Sequence, residues 1–174
     1  MSHTSSTAAE FSTQESCAFL AQTLQQRGWM MASAESCTGG LIAGACTDLA
    51  GSSVWFERGF VTYSNAAKTE MLGVDAQLVE QHGAVSEAVA RAMAEGALRH
   101  SRAQAAVAVT GIAGPSGGST DKPVGTVWFG WAVSGAVHTQ KKVFAGDRAA
   151  VRAAAVQHAL AGLVRLLRTS DTAA

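Results

Sequence analysis

The sequence predicts an α/β domain, a three-layer α/β/α sandwich around a mixed, mostly parallel sheet that contains an antiparallel hairpin strand. Three observations carry this. Short apolar runs, "WMMASA", "RGFVTY" and "AAVAVT", alternate with longer stretches whose apolar residues recur at helical spacing, the pattern of strands covered on both faces by helices. Later in the chain, "TVWFGWAV" and "VHTQKKVFA" follow one another across Ser134-Gly135, a tight-turn pair, so at least one strand runs against the others. With 174 residues the chain fits one domain of ordinary size, long enough to bury roughly 70% of the surface that an unfolded chain exposes.

The elements follow in order. Residues 1–10 are small and polar without periodicity and read as a disordered N-terminal tail, which leaves 11–170 as a single domain. Ser12 and Glu15 make a capping box for a first helix whose stripe includes Phe19, Leu20 and Leu24 and which Gly28 ends. "WMMASA" is the first strand, and "TGGLIAGACTDLAG" is a helix stopped by Gly51. "RGFVTY" is the second strand, followed by a helix with Ser64 as N-cap and Gly73 as its stop. Another helix starts at Ser86 and leads to the strand "AAVAVT". The glycine-rich loop "GIAGPSGGSTDKPVG" is too long and too biased in composition to be a mere connector. After the hairpin, a long helix from about Asp147 to Arg168 carries Val151, Val156, Leu160, Leu163, Val164 and Leu167 on one side.

Composition narrows the function. Thirteen Lys and Arg balance thirteen Asp and Glu, so no global field recruits nucleic acid or an anionic membrane. Apolar runs are broken by Gly, Ser or charge well before the length that a spanning helix needs, and "MSHTSSTAAEF" has no targeting pattern, which makes the cytoplasm the expected compartment. The three cysteines lack paired spacing and the five histidines are scattered, so neither a metal nor a disulfide framework is expected.

In a sheet of this kind, the loops that leave the C-terminal ends of parallel strands line one edge, where ligands bind. Three such exits stand out: Glu35 to Gly40, Tyr63 to Lys68, and Thr110 to Gly118. Ser36 becomes a nucleophile if a base takes its proton and donors receive the oxyanion; Thr38, Gly39 and Gly40 can offer N–H groups at a helix start. The bland alternative is that Ser36 or Thr38 merely caps that helix. Lys68 is the candidate base because no histidine falls in these loops, and it needs desolvation to lose its proton at neutral pH. Most helical lysines are instead solvated. Tyr63, the only tyrosine, can relay a proton or orient Lys68, or simply end a strand with its hydroxyl in water. Cys37 is a rival nucleophile if the helix start lowers its pKa, although adjacent side chains diverge and no His is placed to pair with it. The glycine loop fits neither the P-loop nor the dinucleotide fingerprint, yet it can make a nest for a phosphate or carboxylate, with Lys122 or Arg148 adding charge.

Taken together, "AESCTGG", "AGSSVWFERGFVTYSNAAK", "HGAVSE", "VAVTGIAGPSGGSTDKPVGTVW" and "FAGDR", in this order, resemble the CinA C-terminal domain family and within it the stand-alone nicotinamide-nucleotide amidohydrolases. The resemblance runs from about Phe11 to Leu167. It implies hydrolysis of the carboxamide of nicotinamide mononucleotide by a Ser/Lys pair without metal or other cofactor, and association into a homo-oligomer. Carried over by motif, Ser36 is the nucleophile, Lys68 the general base and Tyr63 a supporting group. Thr38, Gly39 and Gly40 would receive the oxyanion, while Thr110, Gly111, Gly114, Gly117, Gly118 and Arg148 would hold the nucleotide. A non-catalytic nucleotide or phosphate sensor, and a Ser/Lys amidohydrolase of another small amide, are the competing expectations.

Overall fold

The capping box at Ser12 forms: its hydroxyl accepts from the Glu15 N–H at 3.2 Å while the Glu15 carboxylate accepts from the Ser12 N–H at 2.8 Å. It opens α1 (Thr13–Arg27), which Gly28 closes in a left-handed conformation. The structure, a computed structural model, describes residues 10–171. Most of the segment expected to be a tail, residues 1–9, lies outside the described residues. Glu10, assigned to that tail on sequence grounds, instead pairs with His158 Nδ1 at 2.7 Å and with Arg165 at 3.3 Å.

From there the chain alternates as expected: β1 (Met31–Glu35), α2 (Leu41–Thr47), β2 (Phe56–Val61), α3 (Asn65–Leu72), α4 (Ala76–His82), α5 (Glu87–Arg99), β3 (Ala105–Gly111), β4 (Thr126–Val133), β5 (Ala136–Val143) and α6 (Arg148–Asp171). Ser64 and Ser86 cap α3 and α5 through Ala67 and Val89. Two elements differ from expectation. The predicted helix ending at Gly51 stops at Thr47, and a short 3-10 turn occupies Ser52–Val54. The connection between α3 and α5 contains α4, whose Asp75 cap accepts from the Gln77 N–H at 2.9 Å.

The sheet order is β2-β1-β3-β4-β5. β1 pairs in parallel with both β2 and β3, whereas β4 is antiparallel to β3 and β5. Thus β4 alone opposes the common direction, and the hairpin turns at Ser134 and Gly135, both with positive φ.

Side chains alternate across the sheet and build two cores. Met31, Val107, Val109, Phe129 and Trp131 face α1, α2 and α6; Ala32, Ala34, Ala106, Ala108 and Ala132 face α3, α4 and α5. The second face is floored with alanine and glycine, so α5 lies close to the sheet. At Gly130 an added Cβ would stand 2.5 Å from the Ala90 carbonyl oxygen. By length and hydropathy Arg148–Ser170 would also pass for a membrane-spanning helix. Its Val151, Ala155, Ala159, Leu160, Leu163, Val164 and Leu167 are nevertheless wholly buried against α1 and the sheet, as a core helix requires.

Candidate active site

Because β1 lies between β2 and β3 and all three run in parallel, their C-terminal ends open on the same edge. Ser36 follows β1, and its N–H donates to Val109 O of β3 at 3.0 Å. Lys68 stands in the first turn of α3, a turn that the Ser64 cap fixes relative to the end of β2. Their side chains meet there, with Lys68 Nζ 3.0 Å from Ser36 Oγ.

Lys68 is 1% exposed, so its amine is shielded from bulk water although it borders the cleft. Its remaining partners are the carbonyl oxygens of Thr62 at 2.8 Å and Ser64 at 3.5 Å. Among the described residues no carboxylate joins this group, and burial pushes the amine below the usual lysine range, with Cys37 pulling weakly the other way. A neutral amine matches the geometry. Its two hydrogens serve the two carbonyls, leaving the lone pair for the Ser36 hydroxyl. A Ser36 hydroxyl so placed can serve as a nucleophile paired with a base and not only as a helix cap.

Cys37 does not compete, because burial raises its thiol to about 11 and keeps it protonated at neutral pH. Its backbone contributes instead. The Cys37 N–H donates to no other residue among those described, and Cys37 lines the cleft beside Ser36.

The cleft has a volume of about 290 Å³ and is lined by Ser36, Tyr63, Lys68, Thr110, Gly111, Gly114, Gly117 and Arg148 among the residues anticipated from sequence. Arg148 binds across its mouth, donating to Gly114 O at 2.8 Å and to Tyr63 Oη at 3.0 Å. The Tyr63 hydroxyl is therefore bonded to Arg148, and among the described residues no hydrogen bond joins it to Lys68. The Thr110 hydroxyl donates to Ala84 O at 2.8 Å, fixing the segment between α4 and α5 as a wall. The N–H groups of Ala113, Gly114, Ser116 and Gly117 make no hydrogen bond within the described residues, which leaves a row of donors along the glycine loop.

Five anticipated residues fall outside this cleft. Thr38, Gly39 and Gly40 do not line it, because the start of α2 is already filled by an internal anion, the Glu35 carboxylate. Glu35 accepts from the Thr38 hydroxyl at 2.8 Å and the Gly40 N–H at 3.2 Å, while the Gly39 N–H bonds to Ser36 O at 3.1 Å. Gly118 packs on Val124 and faces away; an added Cβ there would stand 2.7 Å from the Val124 nitrogen. Lys122 does not line the cleft either, and its amine donates to His82 O at 3.1 Å.

Sequence reasoning missed Asn65, Ala84, Val85 and Ser116 as lining residues. Asn65 had a signal, its place between the Ser64 cap and Lys68; Ala84 and Val85 had only their place in "HGAVSE", since their part depends on a contact across the sheet edge.

Comparison with known proteins points the same way. A profile of the CinA C-terminal domain matches residues 13–167. Similar proteins include the nicotinamide-nucleotide amidohydrolase PncC of Enterobacter agglomerans, 59% identical over 143 residues that cover 82% of this chain and 87% of that protein. PncC of Escherichia coli (strain K12) is 57% identical over 140 residues, covering 80% and 85%. Among crystal structures, the competence/damage inducible protein CihA from Agrobacterium tumefaciens superposes with a TM-score of 0.86 at 48% identity, covering 88% of this chain and 94% of that one.

Proposed function

The chain belongs to the CinA C-terminal domain family, and we propose that it is a nicotinamide-nucleotide amidohydrolase. It hydrolyses the carboxamide of nicotinamide mononucleotide to nicotinate mononucleotide and ammonia, a step of pyridine nucleotide salvage. The observation that carries the mechanism is the 3.0 Å contact between Ser36 Oγ and a buried amine whose other partners are neutral.

Neutral Lys68 takes the Ser36 proton as Oγ attacks the amide carbon, and the C–O bond forms while the carbonyl electrons move onto oxygen. The Cys37 N–H, next to the nucleophile, receives that oxyanion; one such donor is worth on the order of 3 kcal/mol of barrier. The Lys68 ammonium then returns its proton to the departing nitrogen, ammonia leaves, and an acyl-enzyme remains. Water, deprotonated by the same amine, releases the carboxylate and restores Ser36. The donor row of Ala113, Gly114, Ser116 and Gly117 suits a phosphate, with Arg148 supplying charge at the mouth. Thr110 and Gly111 form the floor beneath the ribose.

We also propose residence in the cytoplasm, in keeping with Cys17, Cys37 and Cys46 all being free thiols, and self-association, which light scattering after gel filtration measures.

The deciding experiment is ammonia release from nicotinamide mononucleotide, nicotinamide and unrelated small amides, by the native chain and by Ser36→Ala. The expected result is turnover of the mononucleotide alone, abolished by the substitution. Tight binding of the mononucleotide without ammonia would mark a sensor, and preference for another amide would keep the chemistry but change the substrate.

A further inference from the structure

Two charged side chains outside the Ser36–Lys68 pair converge on the turn that carries the nucleophile, and neither lines the cleft. Glu35 is fully buried directly before Ser36. One carboxylate oxygen accepts from Thr38 Oγ1, Gly40 N and Ile42 N, and the other from Ser33 Oγ at 3.2 Å and Ala43 N at 3.0 Å. The left-handed backbone at Gly39 and Gly40, with φ of 57° and 100°, folds the chain back so that these N–H groups reach it. On the opposite side Arg152 of α6 donates through Nε to Cys37 O at 3.1 Å and through Nη2 to Thr38 O at 3.3 Å. An anion gathers the turn's donors and a cation gathers its acceptors.

We infer that Glu35 and Arg152 are positioning residues for the amidohydrolase reaction, holding Ser36 Oγ against Lys68 and aiming the Cys37 N–H at the reacting carbonyl. The inference rests on Ser36 being the nucleophile of the proposed function. Both act through the backbone. Arg152 fixes the carbonyl of Cys37 itself, so the peptide plane that follows it, and with it the path of residues 37 and 38, is set by a fork that a single ammonium cannot reproduce. Misplacing a reacting group by about 1 Å can slow a reaction by roughly 100-fold, so a turn that is loose yet folded should show its defect in turnover rather than in binding.

The test uses Arg152→Gln, Arg152→Lys and Glu35→Gln in the full chain, read by steady-state kinetics on nicotinamide mononucleotide, by the rate at which a fluorophosphonate labels Ser36, and by melting temperature. Expected are kcat lower by about 10- to 100-fold for Arg152→Gln with KM within about twofold, partial recovery in Arg152→Lys, and a parallel fall in the labelling rate. Should Glu35→Gln fail to fold, the Arg152 pair still decides. A lower melting temperature with kcat and labelling unchanged would overturn the inference, as would a rise in KM alone. If the native chain releases no ammonia from the mononucleotide, the proposed function fails, and the labelling rates alone then judge the positioning role.

Discussion

Lys68 Nζ lies 3.0 Å from Ser36 Oγ, and among the described residues the only other hydrogen-bond partners of that amine are the carbonyl oxygens of Thr62 and Ser64. The amine thus sits among dipoles without an opposite charge. In water a lysine is neutral in only about one molecule in 2,500 at pH 7, and removing the water shifts that balance toward the form that can accept a proton.

The pH dependence of catalysis follows. In the proposed mechanism Lys68 works uncharged, and burial lowers its pKa, so kcat/KM should climb with pH through one ionisation below the ordinary lysine range and then level off. Ammonia release measured from pH 6 to 10 reads this directly. A rise that begins only near the solution lysine value would contradict it.

Stability carries the same signature with its own sign. A lysine whose folded pKa lies below its unfolded value, about 10.4, binds fewer protons in the native state across the window between the two, so native stability increases with pH there. The slope reaches about 1.4 kcal/mol per pH unit. Lys68→Met removes this dependence, so the melting temperature of the native chain relative to the variant should improve on going from pH 7 to pH 9.5. Calorimetric melts at the two pH values test it, and parallel behaviour of both proteins would sink it.

Arg148 spans Gly114 O and Tyr63 Oη, a reach that a lysine ammonium cannot cover. Arg148→Lys should raise KM for the mononucleotide by about tenfold, the equivalent of roughly 1.4 kcal/mol, with kcat nearly intact. Tyr63→Phe loses one of the two contacts and should do less. A collapse of kcat at constant KM would instead put Arg148 in the chemical step.

On the far side of the sheet, Gly130→Ala forces a methyl against the Ala90 carbonyl oxygen, 2.5 Å from where the new carbon would stand. Backbone must move, and such overpacking costs about 1–3 kcal/mol. The melting temperature should fall by about 2–4 °C for each kcal/mol lost. An unchanged melt would show that α5 has more room than its position indicates.

Much of this architecture was legible because local signals agreed with one another. Ser12 with Glu15, Ser64, Ser86 and the Ser134-Gly135 pair each marked a boundary that the structure keeps. The convergence of Ser36 and Lys68 could be anticipated because parallel strands leave from one edge, which is a property of topology rather than of either residue. By contrast, α4 has only Leu78 and Val79 to suggest a helical face, too short a pattern to register beside a connecting loop. Gly39 and Gly40 read as an open helix start since nothing in the spacing shows that the preceding strand ends in a carboxylate that curls back onto that start. Arg152 was hidden for a similar reason: one helical turn beyond Arg148 and more than a hundred residues from Cys37, its contact exists only in three dimensions.

The strand order separates two kinds of inheritance. The reacting pair is carried by the β1 exit and α3, whereas the walls come from the segment after β3 and the stretch between α4 and α5. None of residues 112–125 is hydrogen-bonded to the Ser36 hydroxyl or the Lys68 amine, so rim and pair rest on separate segments. A change of amide preference would then fall on the rim, with the Ser36 hydroxyl and the Lys68 amine left where they stand.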